Sequence, residues 1–330
     1  MIDKQLRLRG CFRFPSINNI THLSKRSITC QPYLPYCMNT LSRRSFLRRL
    51  TLATAAVPII LPLGSRAFAT NKNIKKIGVQ LFSIPKITET DFAGTMQKLA
   101  AIGFKEIEFY GPYSFSATED QQRWSSVTPS LGFSGSGFFG LTTQQVKKIL
   151  DDNGLSAPSM HTGLVSLQGA MGPLAEAANI LGSRYVVLPS AVSHTTLDGY
   201  KKQAEEFNKF GSEARKLGIR FAYHNHGNGL KALDGKIPFD LILETTDPEL
   251  VFFQMDIYWM TAGGVDVVSY LDKYPKRFRL MHVKDMSKEV RFSGDGGDPQ
   301  QWMELFPFLT DAGSGVIEFC GWCIDAEREY

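Results

Sequence analysis

Eight short apolar runs, each tied to a longer amphipathic stretch, constrain this chain more than any other feature. From Ile77 onward the runs fall at 77–82, 106–110, 156–161, 185–189, 219–226, 252–258, 278–285 and 315–320. Helical spacing occupies 91–102, 142–152, 171–181, 196–217, 238–246, 265–273 and 299–312. Runs that are apolar on both faces make strands buried on both sides, and strand–helix alternation brings such strands together in parallel. Eight of them between residues 70 and 330 predict an α/β fold, a single (β/α)8 TIM barrel. Gly103, Gly154, Gly182, Gly218 and Gly313 punctuate the helix ends, where a left-handed cap is wanted. The stretch 111–141 is expected to be a long loop with one short helix around Glu119–Trp124. So few residues follow Phe319 that the eighth helix is expected to be short or missing.

The amino terminus reads separately. The chain carries 37 Lys/Arg and 32 Asp/Glu; eleven of the bases and one of the acids lie within residues 1–69, leaving 26 against 31 and a net charge of −5 on the remainder. A mildly acidic body argues against nucleic acid as a partner, because such binding rests on basic surface. Within the basic front, Ser42–Arg48 (SRRSFLR) matches a twin-arginine export motif, Leu50–Leu63 supplies an apolar core, and Ala67-Phe68-Ala69 supplies a cleavage site. The apolar stretch is short and broken by Pro58 and Pro62, so no stable membrane anchor is expected. We therefore read 1–37 as a leader ahead of a true start at Met38, 38–69 as a signal peptide, and 70–330 as the catalytic barrel of an exported, periplasmic protein. Cys320 and Cys323 are the two cysteines after the leader, and in an oxidising compartment they could close a small disulfide.

Four of the apolar runs end in groups that carry chemistry: His224, Asp256, His282 and Glu318, spaced 32, 26 and 36 residues apart. Ends of neighbouring barrel strands converge at the carboxyl face, so the four would meet on one arc of the mouth. Two imidazoles and two carboxylates suit one divalent ion, Mn, Co, Zn or Fe with Mg also compatible, better than Ca. Lys284 follows His282 by two residues and points the same way along a strand. His161 lies across the mouth, and Glu108, Gln80 and Trp259 are candidate substrate contacts. Gly294–Asp298 (GDGGD) reads as a lid loop, with Asp298 capping the next helix.

The segments IGVQLFS (77–83), AAIGFKEIEFYG (100–111), FAYHNHG (221–227), MDIYWMTAGG (255–264), MHVKDM (281–286) and VIEF (316–319) resemble the sugar phosphate isomerase/epimerase superfamily, the xylose-isomerase-like TIM barrels. The resemblance implies one divalent metal held by His224, Asp256, His282 and Glu318. It also implies an isomerase or epimerase acting on a sugar or ketosugar through an enediolate, with Glu318 as ligand and base and His226 or His161 as its partner. Lys284 would bind a hydroxyl or the developing oxyanion. Ketose 3-epimerases of the superfamily use paired glutamates on the fifth and eighth strands, whereas this chain has His224 at the former. That departure opens the alternative of a 3-keto-glycoside lyase or hydratase on the same scaffold. A non-catalytic periplasmic sugar-binding barrel is the reading from another class; turnover with added metal separates it from an enzyme. Oligomeric state is not legible here.

Overall fold

Seven of the apolar runs become one parallel sheet. The computed structural model describes residues 76–318, so the leader, the signal peptide and the Cys320–Cys323 pair lie outside the described residues. The strands are β1 (Gly78–Gln80), β2 (Glu106–Phe109), β3 (Ser156–His161), β4 (Tyr185–Leu188), β5 (Arg220–His224), β6 (Val251–Asp256) and β7 (Phe278–His282). They pair in sequence order, every ladder parallel. Among the described residues no ladder joins β7 back to β1.

Period-two alternation decides which side chains meet. On β5, Phe221 and Tyr223 enter the main core with the helices, while Ala222 and His224 share the other face. Ala222 packs there with Tyr185, Val187 and Phe252. Gln254 and Asp256 follow Phe252 at two-residue steps, so the face that is apolar at the barrel floor turns polar towards the strand ends. Helices cover the outer face by their own period. Helix Leu197–Lys216 buries Tyr200, Ala204, Phe207, Phe210 and Ala214, a spacing of three and four residues that forms one stripe. Phe207 of that stripe lies 4.9 Å from Tyr223 and 5.4 Å from Phe221, ring centre to centre. Gly103 and Gly182 end their helices in the left-handed region, at φ 118° and 75°. No described helix is long and apolar enough to cross a membrane.

Three expectations change. Residues 118–131 form a 14-residue helix, not a short turn in a loop. The helix expected over 299–312 stops at Leu305, where Pro307 and a 3-10 turn intervene. The eighth strand does not form over 315–318. The cause is Asp285, fully buried beyond β7. Its carboxylate accepts the backbone N–H groups of Met286, Gly313, Gly315 and Ile317 at 2.7 to 3.1 Å. Val316 N–H donates to the Met286 carbonyl. The donors that an eighth strand would offer to a ladder are spent locally. Instead Asp285–Met286 pairs antiparallel with Leu309–Thr310 as a separate two-stranded ribbon.

Candidate active site and metal centre

The polar ends of β2, β3, β5, β6 and β7 close on one buried cluster. Its centre is Glu108, 6 % exposed. Glu108 accepts from Gln80 Nε2 (2.9 Å), Gln254 Nε2 (2.6 Å) and His282 Nε2 (2.6 Å), and from the Ser159 hydroxyl. His161 Nε2 lies 3.0 Å from the same carboxylate. Burial alone would raise the Glu108 pKa; the positive ends of His161 and His282 outweigh it and hold the carboxyl well below its ordinary range.

His161, His224 and His282 each bring one ring nitrogen to within 4.8 Å of the others. The rings of His161 and His282 stack at 5.4 Å and 9°, and His224 sits 4.7 Å from His282. Three imidazoles at this spacing could hold a metal ion. Asp256 stands beside them, fully buried, with Oδ2 at 3.6 Å from His224 Nε2 and 3.7 Å from His282 Nδ1. His282 Nδ1 is buried and has no hydrogen-bond partner. A buried ring nitrogen without a partner, facing a buried carboxylate oxygen and a second ring nitrogen, fits a divalent cation, since leaving such an atom unmet is costly. The Lys284 ammonium lies 2.7 Å from Asp256 Oδ2. Burial would raise the Asp256 pKa, but Lys284 above all brings it down to about 2.

The surrounding imidazoles divide by environment. Burial, followed by the positive charges of neighbouring side chains, lowers the His224 pKa well below its ordinary value. His226 is lowered to about 3, by burial first and then by Lys284. His282 goes the other way: burial would lower it, but Glu108 raises it.

His161, His224, Asp256, His282, Lys284, Glu108 and Gln80 thus come together. Three other expectations fare differently. Glu318 is exposed and sits on no strand, so the structure does not bring it to the cluster; the Asp285 turn described above diverts that segment. Trp259 is 1 % exposed in the helix Ile257–Ala262 after β6 and packs against Tyr258 and Phe292, which leaves no open face for a sugar. His226 lies beyond the end of β5, its ring 5.0 Å from His224 and sandwiched by Trp302 (4.3 Å) and Trp259 (5.4 Å). Its Nδ1 is buried and without a partner. Gly296 packs against Gly227, the residue after His226, and Asp298 accepts the Gln300 N–H as the cap of the helix that bears Trp302.

Gln254 and Ser159 were not singled out from sequence. Each lies two residues before a group that was, Asp256 and His161, and period two puts it on the same face. Asn225 of the YHNH segment bridges β5 and β6: its Oδ1 accepts the Asp256 N–H at 2.9 Å.

The sequence profile of the xylose isomerase-like TIM barrel family matches residues 96–330. An inosose dehydratase of Mesomycoplasma hyopneumoniae (strain 7448) is 36 % identical over 91 residues, 27 % of this chain and 29 % of the relative. One from Clostridium tetani is 31 % identical over 96 residues, 29 % of this chain and 31 % of the relative. These matches span less than a third of either curated relative. A solved sugar phosphate isomerase/epimerase from Parabacteroides distasonis is 26 % identical, with a TM-score of 0.53 over 74 % of this chain and 87 % of that one. The family match covers well over half of the chain, and the chain belongs to the xylose isomerase-like TIM barrel family.

Proposed function

We propose that this chain is a divalent-metal-dependent enzyme that removes the proton next to the carbonyl of a sugar-like ketone and expels a β-oxygen as water or alcohol. The observation that carries the reading is a buried carboxylate and an ammonium held at the two edges of the His282 ring, Glu108 at Nε2 and the Asp256–Lys284 pair at Nδ1. A bound divalent cation, held by His224, Asp256 and His282 with His161 adjacent, would polarise the carbonyl as a Lewis acid.

The chain's own groups then divide the proton traffic. Glu108 is ionised at neutral pH and accepts the α-proton as the C–H bond breaks. The freed electron pair forms the C=C bond as the C–O bond to the leaving group breaks. Lys284 gives a proton to the departing oxygen, which balances the one that Glu108 takes up. A paired-glutamate epimerisation is not favoured, because His224 occupies the β5 position and Glu318 is exposed. The inosose dehydratases support elimination, within the third of their length that matches. Isomerisation is the second reading, supported by the likeness to the Parabacteroides distasonis enzyme. Export before action is part of the proposal and rests on the Ser42–Arg48 motif.

The test is to load the protein with Mn²⁺, Co²⁺ or Zn²⁺ and incubate it with inososes and 3-keto-glycosides in D₂O. Near-ultraviolet absorbance of a conjugated enone, formed with loss of the substrate's α-hydrogen to solvent, is the expected result. Exchange without enone would favour isomerisation. A metal-loaded protein that neither forms enone nor exchanges an α-proton in the panel would overturn both.

A further inference from the structure

Gln254 is 2 % exposed and makes three contacts at the floor of the site. Its Nε2 lies 2.6 Å from Glu108 Oε2, and its Oε1 lies 2.7 Å from His161 Nε2 and 2.9 Å from His224 Nδ1. No role in binding or chemistry described so far falls on it.

Which end of the amide faces which neighbour follows from the network. Glu108 already collects the Ser159 hydroxyl, the Gln80 amide and the His282 Nε2–H. A carboxylate ringed by donors is an acceptor on both oxygens, so the Gln254 atom beside it is the nitrogen. A carbonyl oxygen there would set acceptor against acceptor with no proton between them. The Gln254 oxygen therefore faces the two rings, and a carbonyl oxygen only accepts. Neutral His224 must then carry its proton on Nδ1, which leaves the Nε2 lone pair aimed at Asp256 Oδ2, 3.6 Å away. By the same logic His282, donating through Nε2 to Glu108, leaves Nδ1 at 3.7 Å from that oxygen. Where His282 is neutral, as a metal ligand must be, three lone pairs face one point.

We infer that Gln254 is a positioning residue that sets the tautomer of His224, carrying the placement of Glu108 on β2 across the barrel to the ligand face of β5. Two features of the side chain are needed at once, a donor for the carboxylate and an acceptor for both imidazoles. An aliphatic residue of similar volume would fill the space and supply neither. The inference rests on the proposed metal reading only where metal affinity is measured; the tautomer belongs to the metal-free protein.

The experiment is two-bond ¹H–¹⁵N correlation on metal-free protein labelled with ¹⁵N-histidine, followed by Co²⁺ titration read in the visible spectrum. Wild type is expected to show His224 protonated on Nδ1. Gln254→Leu is expected to lose that single tautomer and to bind Co²⁺ about 10–100-fold more weakly, the usual cost of removing a partner behind a ligand. Gln254→Glu, which keeps the acceptor oxygen for both rings but sets a second carboxylate against Glu108, is expected to retain the His224 tautomer while perturbing Glu108. His224 protonated on Nε2 in wild type would overturn the inference without any variant. So would Gln254→Leu with the wild-type tautomer, whether or not its Co²⁺ affinity falls. A wild type with the expected tautomer but no Co²⁺ binding would uphold the positioning role and sink the metal reading instead.

Discussion

Glu108→Gln is expected to lower kcat/KM by roughly 10²–10⁴-fold, the usual contribution of a general base. The substitution keeps the shape of the side chain and removes its charge and one acceptor oxygen. In the wild type, hydroxyl, amide and imidazole donors converge on this carboxylate, and the imidazole contacts hold it ionised despite its burial. An amide there turns its own N–H₂ towards at least one of those donors. A stability loss of about 1–3 kcal/mol is expected alongside, from a buried polar group left unmet. Glu108→Asp, which restores the charge on a shorter stem, is expected to recover part of the rate. Steady-state kinetics on the three proteins decides the point. A Glu108→Gln enzyme with near wild-type kcat/KM would remove Glu108 as the base, and the elimination reading with it.

Acid sensitivity of the metal-free protein is expected to come in part from His226, alongside His224, whose pKa burial also lowers. Its folded-state pKa is lowered to about 3 from an ordinary 6.5, by burial first and then by Lys284. The sign follows from which state binds the proton. Below pH 6.5 the unfolded chain takes up a proton that the folded chain refuses until about pH 3. The stability from keeping this ring neutral is whole above pH 6.5 and is lost as pH falls between those values. Between pH 7 and 5 the loss is about 2 kcal/mol from this one group. Glu108 acts in the same direction at lower pH, as a carboxylate whose folded-state pKa is depressed. His226→Phe keeps a ring between Trp302 and Trp259 but cannot titrate, so its stability is expected to fall less over that interval. Urea denaturation of both proteins at pH 7 and pH 5 measures the difference. Equal losses in the two would show that His226 is not the group responsible.

The sheet was legible because its signal is simple. Strands apolar on both faces, separated by helical spacing, leave few alternatives to a parallel α/β layer. His224, Asp256 and His282 stood out because each ends such a run in a side chain that water or a metal would otherwise have to satisfy. Gln254 and Ser159 carry no charge and sit within their runs, so nothing in the sequence marks them; only the alternation along β6 and β3 places them beside their neighbours. The helix at 118–131 exceeds its sequence signal because it is polar, contains Pro129 and buries Asp120 rather than an apolar stripe. Glu318 misled for a different reason. GVIEF has the composition of a strand, but Asp285 sits ahead of it in the chain and competes for its amides. A long-range hydrogen bond of that kind cannot be read from local pattern. Trp259 shows the same limit: one residue decides whether an indole faces the mouth or the satellite core, and here it faces the core.

The central claim is that the converging lone pairs of His224, Asp256 and His282 hold a metal ion. Its most direct test is elemental analysis of the purified protein after reconstitution with Mn²⁺, Co²⁺, Zn²⁺ or Fe²⁺, wild type beside a His224→Ala, His282→Ala double variant. About one ion per chain in the wild type, lost in the variant while the fold persists by circular dichroism, is the expected result. A wild type that holds no ion after reconstitution, or a variant that keeps the wild-type content, would contradict it.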